Sequence, residues 1–200
     1  AGGGNVGANR EVCQMIKNAG TTPVTHFTVI KNTKEGIKEQ LDQYLADGVD
    51  HMLALRGDIP LGETTTCGDF DYATDLVKFV RDTYGDKFEI AVAGSPEGHI
   101  SCRSLESDIA VLKQKQDNGA DYIMTQLCWD MEQFKYWLDA IRKAGITMPV
   151  DVGVMPILDQ AATINMALSR NGCVMQKENR STYSTTRKLQ SSKKRVSNIP

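Results

Sequence analysis

The sequence predicts a parallel α/β protein whose strands form a barrel rather than an open sheet, and three observations carry that prediction. Five apolar runs finish on polar or turn residues: THFTVI from Thr25, HMLALRGDIP from His51, EIAVAGSPEGH from Glu89, YIMTQLCWD from Tyr122 and VDVGVMPI from Val150. A short apolar run bounded by turn signals reads as a buried strand. Between the runs lie polar stretches with one apolar face at helical period. The candidate rim positions His26, Asp58, Pro96, Gln126 and Pro156 recur at about 30 to 40 residues, the length of one βα unit in an eight-stranded barrel of ~250 residues.

In chain order, Val12, Met15, Ile16 and Ala19 fall at i, i+3, i+4 and i+7 and predict a first helix that buries this stripe. THFTVI follows as a strand. Ile37, Leu41, Tyr44 and Leu45 mark the next helix, and HMLALRGDIP the next strand, stopping on Arg56-Gly57-Asp58 and turning at Pro60. Tyr72-Ala73 opens a further helix whose apolar face Tyr72 also suits. Leu105, Ile109 and Leu112 make one more stripe, and Phe134, Trp137, Leu138 and Ile141 the last. The helices are expected to end at Gly20, Gly48, Gly85, Gly119 and Gly145, because the residue after the last turn adopts a left-handed conformation that glycine takes without a Cβ penalty. The competing open nucleotide-binding sheet would need a strand before the glycine-rich Ala1–Gly7, and none precedes it in this sequence.

Composition bounds the function. Two hundred residues, 40% hydrophobic and 24% charged with a net charge of −2, describe a globular chain with a real core and no general affinity for polyanions. No apolar stretch reaches the ~18 residues of a membrane span, and no basic-then-apolar leader opens the sequence, so the expected setting is cytoplasmic. Five cysteines without a Cys-x-x-Cys pair suggest neither a zinc site nor a disulfide framework. In an α/β protein, chemistry sits at the C-terminal ends of the strands, which makes Arg56, Gly57, Asp58 and Gln126 the first candidates. An Asp there could instead cap a helix or pair with Arg56. A Gln both donates and accepts, which suits a ligand edge of mixed donor and acceptor groups.

THFTVI, LALRGDIP, YATDL, SPEGH, the Asp108–Lys115 helix and MTQLCWD stand in the order and spacing of the methylenetetrahydrofolate reductase family, and residues 1–175 resemble it throughout. The resemblance implies a (β/α)8 TIM barrel, incomplete here with about five of eight parallel strands. It also implies non-covalent FAD, NAD(P)H as electron donor, and reduction of methylenetetrahydrofolate to methyltetrahydrofolate. By the same resemblance Asp58 and Gln126 are catalytic and bind the folate substrate, Asp58 stabilising the iminium formed on ring opening. The cofactor set it implies is His26, Arg56, Gly57, Asp58, Tyr72, Ala73, Ser95, His99, Asp108 and Lys115. The expected partners are a folate, a nicotinamide dinucleotide and, for the intact protein, further copies of the chain, with no nucleic acid and no membrane.

The sequence departs from the family at Ser95, usually a Tyr that packs on the cofactor, and at Ile100-Ser101-Cys102, where Pro-Glu-Ala is common. The family's first two strands, with the Glu that donates the ring-opening proton, and its eighth strand have no counterpart in the sequence, and Glu97 is a poor substitute for that acid. The expectation is therefore a fragment with two unpaired sheet edges, inactive on folate by itself. The alternative is a non-catalytic chain that binds flavin or folate weakly, or associates with an intact subunit. Residues 176–200 form a separate tail with seven Lys or Arg and one acidic residue, on a body with 16 basic and 24 acidic side chains. The tail reads as sequence foreign to the family, ahead of a basic arm for nucleic acid or membrane and of a disordered segment. A Schiff-base aldolase is disfavoured because no lysine ends a strand.

Overall fold

The computed structural model describes residues 6–59, 62–99, 102–154 and 158. Helix and strand alternate along it: α1 (Val6–Asn18), β1 (Val24–Thr28), α2 (Lys34–Ala46), β2 (His51–Leu55), α3 (Ala73–Tyr84), β3 (Glu89–Gly94), α4 (Leu105–Asp117), β4 (Tyr122–Thr125), α5 (Met131–Lys143) and β5 (Val150–Asp151). The five strands form one sheet in the order β1-β2-β3-β4-β5, every pair parallel. Parallel strands in sequence order, each joined by a crossover through a helix, are the arrangement of a barrel wall. Among the described residues the wall is incomplete. Of VDVGVMPI, Val150 and Asp151 pair with β4. Pro156 and the basic tail lie outside the described residues.

Alternation along each strand separates two apolar layers. Phe27, Met52, Ala54, Ile90, Val92 and Ile123 face the helices and join Ile37, Leu41, Leu76, Val80, Leu112, Trp137 and Ile141 in the main core. The opposite face carries a smaller cluster of Leu53, Ala91 and Tyr122, with Val24, Leu55 and Met124 against it. The stripes predicted for α2, α4 and α5 are the faces buried. Gly20, Gly48, Gly85, Gly119 and Gly145 all have positive φ, between 58° and 100°, as the helix ends demand. Thr33, Ser104 and Asp130 cap α2, α4 and α5, each side chain accepting a backbone N–H of the first turn.

Two expectations are overturned. In α1 the stripe Val12, Met15 and Ile16 faces outward, with Met15 70% exposed, while Cys13 is buried. Polar contacts dock this helix. Asn9 Nδ2 donates to Thr25 Oγ1 at 2.9 Å, to the His26 carbonyl at 3.0 Å and to the Tyr44 hydroxyl at 3.2 Å. Arg10 pairs with Asp47, and Lys17 donates to the Asp47 carbonyl. Tyr72 is likewise not part of an apolar face. It sits at the N-cap of α3, exposed, with its backbone N–H held by the Asp75 carboxylate at 3.0 Å.

Candidate functional site

The C-terminal ends of β2, β3 and β4 bring most of the predicted residues to one edge of the sheet. Asp58 stands three residues beyond β2 and Gln126 one residue beyond β4, so both carboxylate and carboxamide lie on the same rim. Asp58 is exposed, and among the described residues its carboxylate has neither a hydrogen-bond nor an ion-pair partner. Arg56 does not pair with it, since its Nε donates to the Gly57 carbonyl at 3.3 Å. Asp58 caps no helix either, α3 beginning only at Ala73. Gly57 has φ 88°, and a Cβ there would lie 3.2 Å from Thr28 Cβ and Ile30 Cγ2, so glycine is required by the turn and by close packing on the end of β1.

Gln126 is held through both its backbone and its side chain. Its N–H donates to the Gly94 carbonyl at 2.8 Å, continuing the β3–β4 ladder, and its Oε1 accepts from the Leu127 N–H at 2.9 Å. The carboxamide is thus oriented by its own loop.

A cluster of basic side chains adjoins the rim. Lys115, near the end of α4, donates from Nζ to the Ala93 carbonyl at 3.0 Å. Burial pushes its pKa down, opposed by the nearby Asp108 carboxylate and Cys102. Asp108, one helical heptad earlier, accepts the backbone N–H of His99 at 3.1 Å and the thiol of Cys102 at 3.6 Å. The His99 imidazole is pushed to lower pKa first by desolvation, then by the charges of Lys115 and Arg56, with Asp108 opposing. Arg56, His99, Asp108 and Lys115 are therefore neighbours. Three basic groups face one carboxylate, an environment that favours an anion. Ser95 begins the turn between β3 and α4, its carbonyl accepting from Gly98 N–H at 2.9 Å. Ala73 opens α3 with Tyr72 before it.

His26 departs from its expected place. It is the third residue of β1, paired in register with Leu53, and exposed on the face opposite Thr25 and Phe27. It lines the sheet wall below the rim. Sequence reasoning also missed a contact between loops: the Cys128 thiol approaches Glu97 Oε1 at 3.8 Å. Burial pushes the Glu97 carboxyl to higher pKa and, with Glu97 assisting, pushes the Cys128 thiol up to about 11. Residues 31 apart in sequence carry no local signal of such a meeting. Among the described residues no group of three His, Cys, Asp or Glu could hold a metal ion, and no helix is long and apolar enough to cross a membrane.

A parallel sheet wound in sequence order, with Arg56, Asp58 and Gln126 at its C-terminal rim, defines a protein of the parallel α/β barrel class. A solved structure from Clostridium thermocellum, described as an uncharacterized protein that binds two copies of 5-methyl-5,6,7,8-tetrahydrofolic acid, shares this fold with a TM-score of 0.52. It is 14% identical and covers 77% of this chain and 50% of its own. The model of the methylenetetrahydrofolate reductase family matches residues 1–176, and the chain belongs to that family. It is 38% identical over 147 residues to methylenetetrahydrofolate reductase 2 of Saccharomyces cerevisiae, covering 71% of this chain and 24% of the relative. Against methylenetetrahydrofolate reductase (NADH) 1 of Arabidopsis thaliana the identity is 36%, covering 84% of this chain and 30% of the relative. Against 5,10-methylenetetrahydrofolate reductase of Salmonella typhimurium it is 32%, covering 78% and 52%. The chain thus spans between about a quarter and a half of the length of these relatives.

Proposed function

We propose that this chain carries the site at which 5,10-methylenetetrahydrofolate is reduced to 5-methyltetrahydrofolate, with FAD as cofactor and a nicotinamide dinucleotide as electron donor. The observation that carries the reading is the rim itself: an exposed Asp58 without a partner among the described residues and a backbone-oriented Gln126, beside the basic cluster of Arg56, His99 and Lys115. Both NADH and NADPH appear in the names of curated relatives, which supports a nicotinamide donor of either kind. A cytoplasmic setting and self-association belong to the same reading.

The residues present fit a flavin dinucleotide. Lys115 is a buried cation with Asp108 as its acidic neighbour, and the further charge of Arg56 acts on the same place. A pyrophosphate supplies the negative charge this cluster lacks, so Lys115, His99 and Arg56 would hold it, with Asp108 orienting the His99 backbone. The Tyr72–Ala73 entry to α3, the Ser95 turn and His26 on the strand wall would complete the contacts. When bound, the flavin supplies two-electron chemistry that accepts a hydride from the nicotinamide and delivers one to the folate methylene carbon.

The chain's own part concerns charge and orientation. Opening the folate's five-membered ring breaks the bond from the methylene carbon to N10, which would take its proton from the family's Glu, a residue with no counterpart among these 200, and leaves a cationic iminium at N5. A carboxylate at Asp58 lowers the energy of that cation, and its having no partner among the described residues keeps its charge available to the substrate. Gln126 presents an oriented amide to the pterin or, in the other half-reaction, to the nicotinamide carboxamide. The test is to complete the chain with the strands its family has in addition, titrate it with FAD and follow the flavin absorbance on adding NADH or NADPH, then on adding methylenetetrahydrofolate. Bleaching followed by recovery is expected. A chain that binds FAD yet takes no electrons from either donor would overturn the reading in favour of a non-catalytic binding role.

A further inference from the structure

Glu97 occupies an unusual place at the rim. Its Oε2 is fully buried and has no hydrogen-bond partner, the one such side-chain atom among the described residues. Buried polar atoms are almost always satisfied, so an exception at a functional edge calls for an explanation. The other oxygen, Oε1, accepts from the Cys128 thiol, which also reaches the Asp130 carbonyl at 3.3 Å. Desolvation dominates the state of the carboxyl. The Asp130 carboxylate adds repulsion, while Cys128 and the backbone amides of Asp130 and Trp129 pull the other way. The group is therefore held toward its neutral, protonated form, in which an unpaired buried oxygen costs least.

The surroundings show what the carboxyl joins. Glu97 lies in the turn Ser95–His99 after β3, and its neighbours Cys128, Trp129 and Asp130 lie in the loop after β4 that begins with Gln126. A second tie runs in parallel, from Gln133 Nε2 on α5 to the Pro96 carbonyl at 2.9 Å. Together these bonds dock one loop on the other. Gln126 lies at the start of the docked loop, two residues before Cys128, and its side chain is oriented by the N–H of Leu127.

We propose that Glu97 is a positioning residue: its buried carboxyl clamps the Ser95–His99 turn to the Gln126–Asp130 loop and so fixes the carboxamide of Gln126 for the folate. This rests on the proposed function for its consequence, but the clamp itself is readable without activity. A neutral amide reproduces the hydrogen-bonding shape of a protonated carboxyl, so Glu97→Gln keeps the clamp and Glu97→Ala removes it.

Amide hydrogen exchange on the 200-residue chain tests this directly, because the Leu127 N–H reports the Gln126 side-chain bond. In Glu97→Ala the Leu127 amide is expected to exchange at least about tenfold faster, roughly the effect of one lost hydrogen bond. The Ile90 and Val92 amides of β3 should be unchanged. In Glu97→Gln all of these should match the parent. Unchanged exchange at Leu127 in Glu97→Ala overturns the clamp, and so does equal acceleration at Ile90 and Val92, which would mean general destabilisation. In the FAD-loaded protein completed with its family's missing strands, Glu97→Ala should raise the KM for folate by about tenfold, with reduction of the flavin by the nicotinamide within about twofold of the parent and Glu97→Gln restoring the folate KM. Equal losses in the two half-reactions would refute the positioning role. A parent chain inert in both would remove the proposed function while leaving the exchange result to decide the clamp.

Discussion

Gly94 links the stability of the fold to the geometry of the rim, and Gly94→Ala is the most direct probe of that link. It is the last residue of β3, where its carbonyl receives the Gln126 N–H. A Cβ added there would stand 2.6 Å from Cγ2 of Ile123 and 3.2 Å from Cζ2 of Trp137. Both side chains are fully buried, at 0% and 1% exposure, so neither can swing into solvent. Overpacking a well-filled core in this way costs about 1–3 kcal/mol, which in a chain of this size lowers Tm by roughly 2–4 °C for each kcal/mol. Because the strain falls beside the Gly94–Gln126 bond, FAD-loaded protein should also lose affinity for folate. Urea denaturation of the parent, Gly94→Ala, Ile123→Leu and the double variant measures the effect. Ile123→Leu moves the branch away from Cβ and removes the clashing methyl, so alanine at 94 should cost less on that background. A Gly94→Ala protein as stable as its parent, or costs that simply add in the double variant, would refute the packing argument.

Lys115→Met removes a buried cation and leaves the Ala93 carbonyl without its donor; the chain should keep its stability to within about 1–2 kcal/mol while FAD binding weakens at least about tenfold. Isothermal titration beside a thermal melt checks this, and unchanged FAD affinity would remove Lys115 from the cofactor set. Asp58→Asn in the FAD-loaded protein completed with its family's missing strands should slow folate reduction on the order of 10²-fold or more while flavin reduction by NAD(P)H suffers far less; stopped-flow traces showing equal losses would discard the iminium role. The raised pKa of Glu97 means that the folded state binds a proton more tightly than the unfolded chain, so its contribution is present at low pH and lost as pH rises from the ordinary ~4.3 through the folded value. Urea titrations at several pH values should show the parent losing stability relative to Glu97→Gln over that window, and parallel profiles would contradict the burial argument. Met15→Ala should change stability by no more than about 0.5 kcal/mol, as for an exposed residue, rather than the 2–5 kcal/mol of a core truncation; a loss in the larger range would put the stripe of α1 back in the core.

The sequence by itself determined the succession of elements and the parallel, sequential sheet. Buried strands, helical periods and terminal glycines are local signals, and right-handed crossovers leave few ways to connect them. It also determined that Asp58 and Gln126 share a rim, because both follow the ends of parallel strands. Periodicity states that a helix has an apolar face without stating what that face meets. In α2, α4 and α5 the stripe meets the sheet, while in α1 the bonds of Asn9 and Arg10 turn Cys13 inward and Met15 outward. Only the tertiary structure decided that Arg56 turns to the Gly57 carbonyl and not to Asp58, that His26 sits below the rim, and that Glu97 is buried against a loop 31 residues away. Desolvation and side-chain contact depend on which distant segments pack together, and that information is spread over the whole chain rather than held in any local pattern.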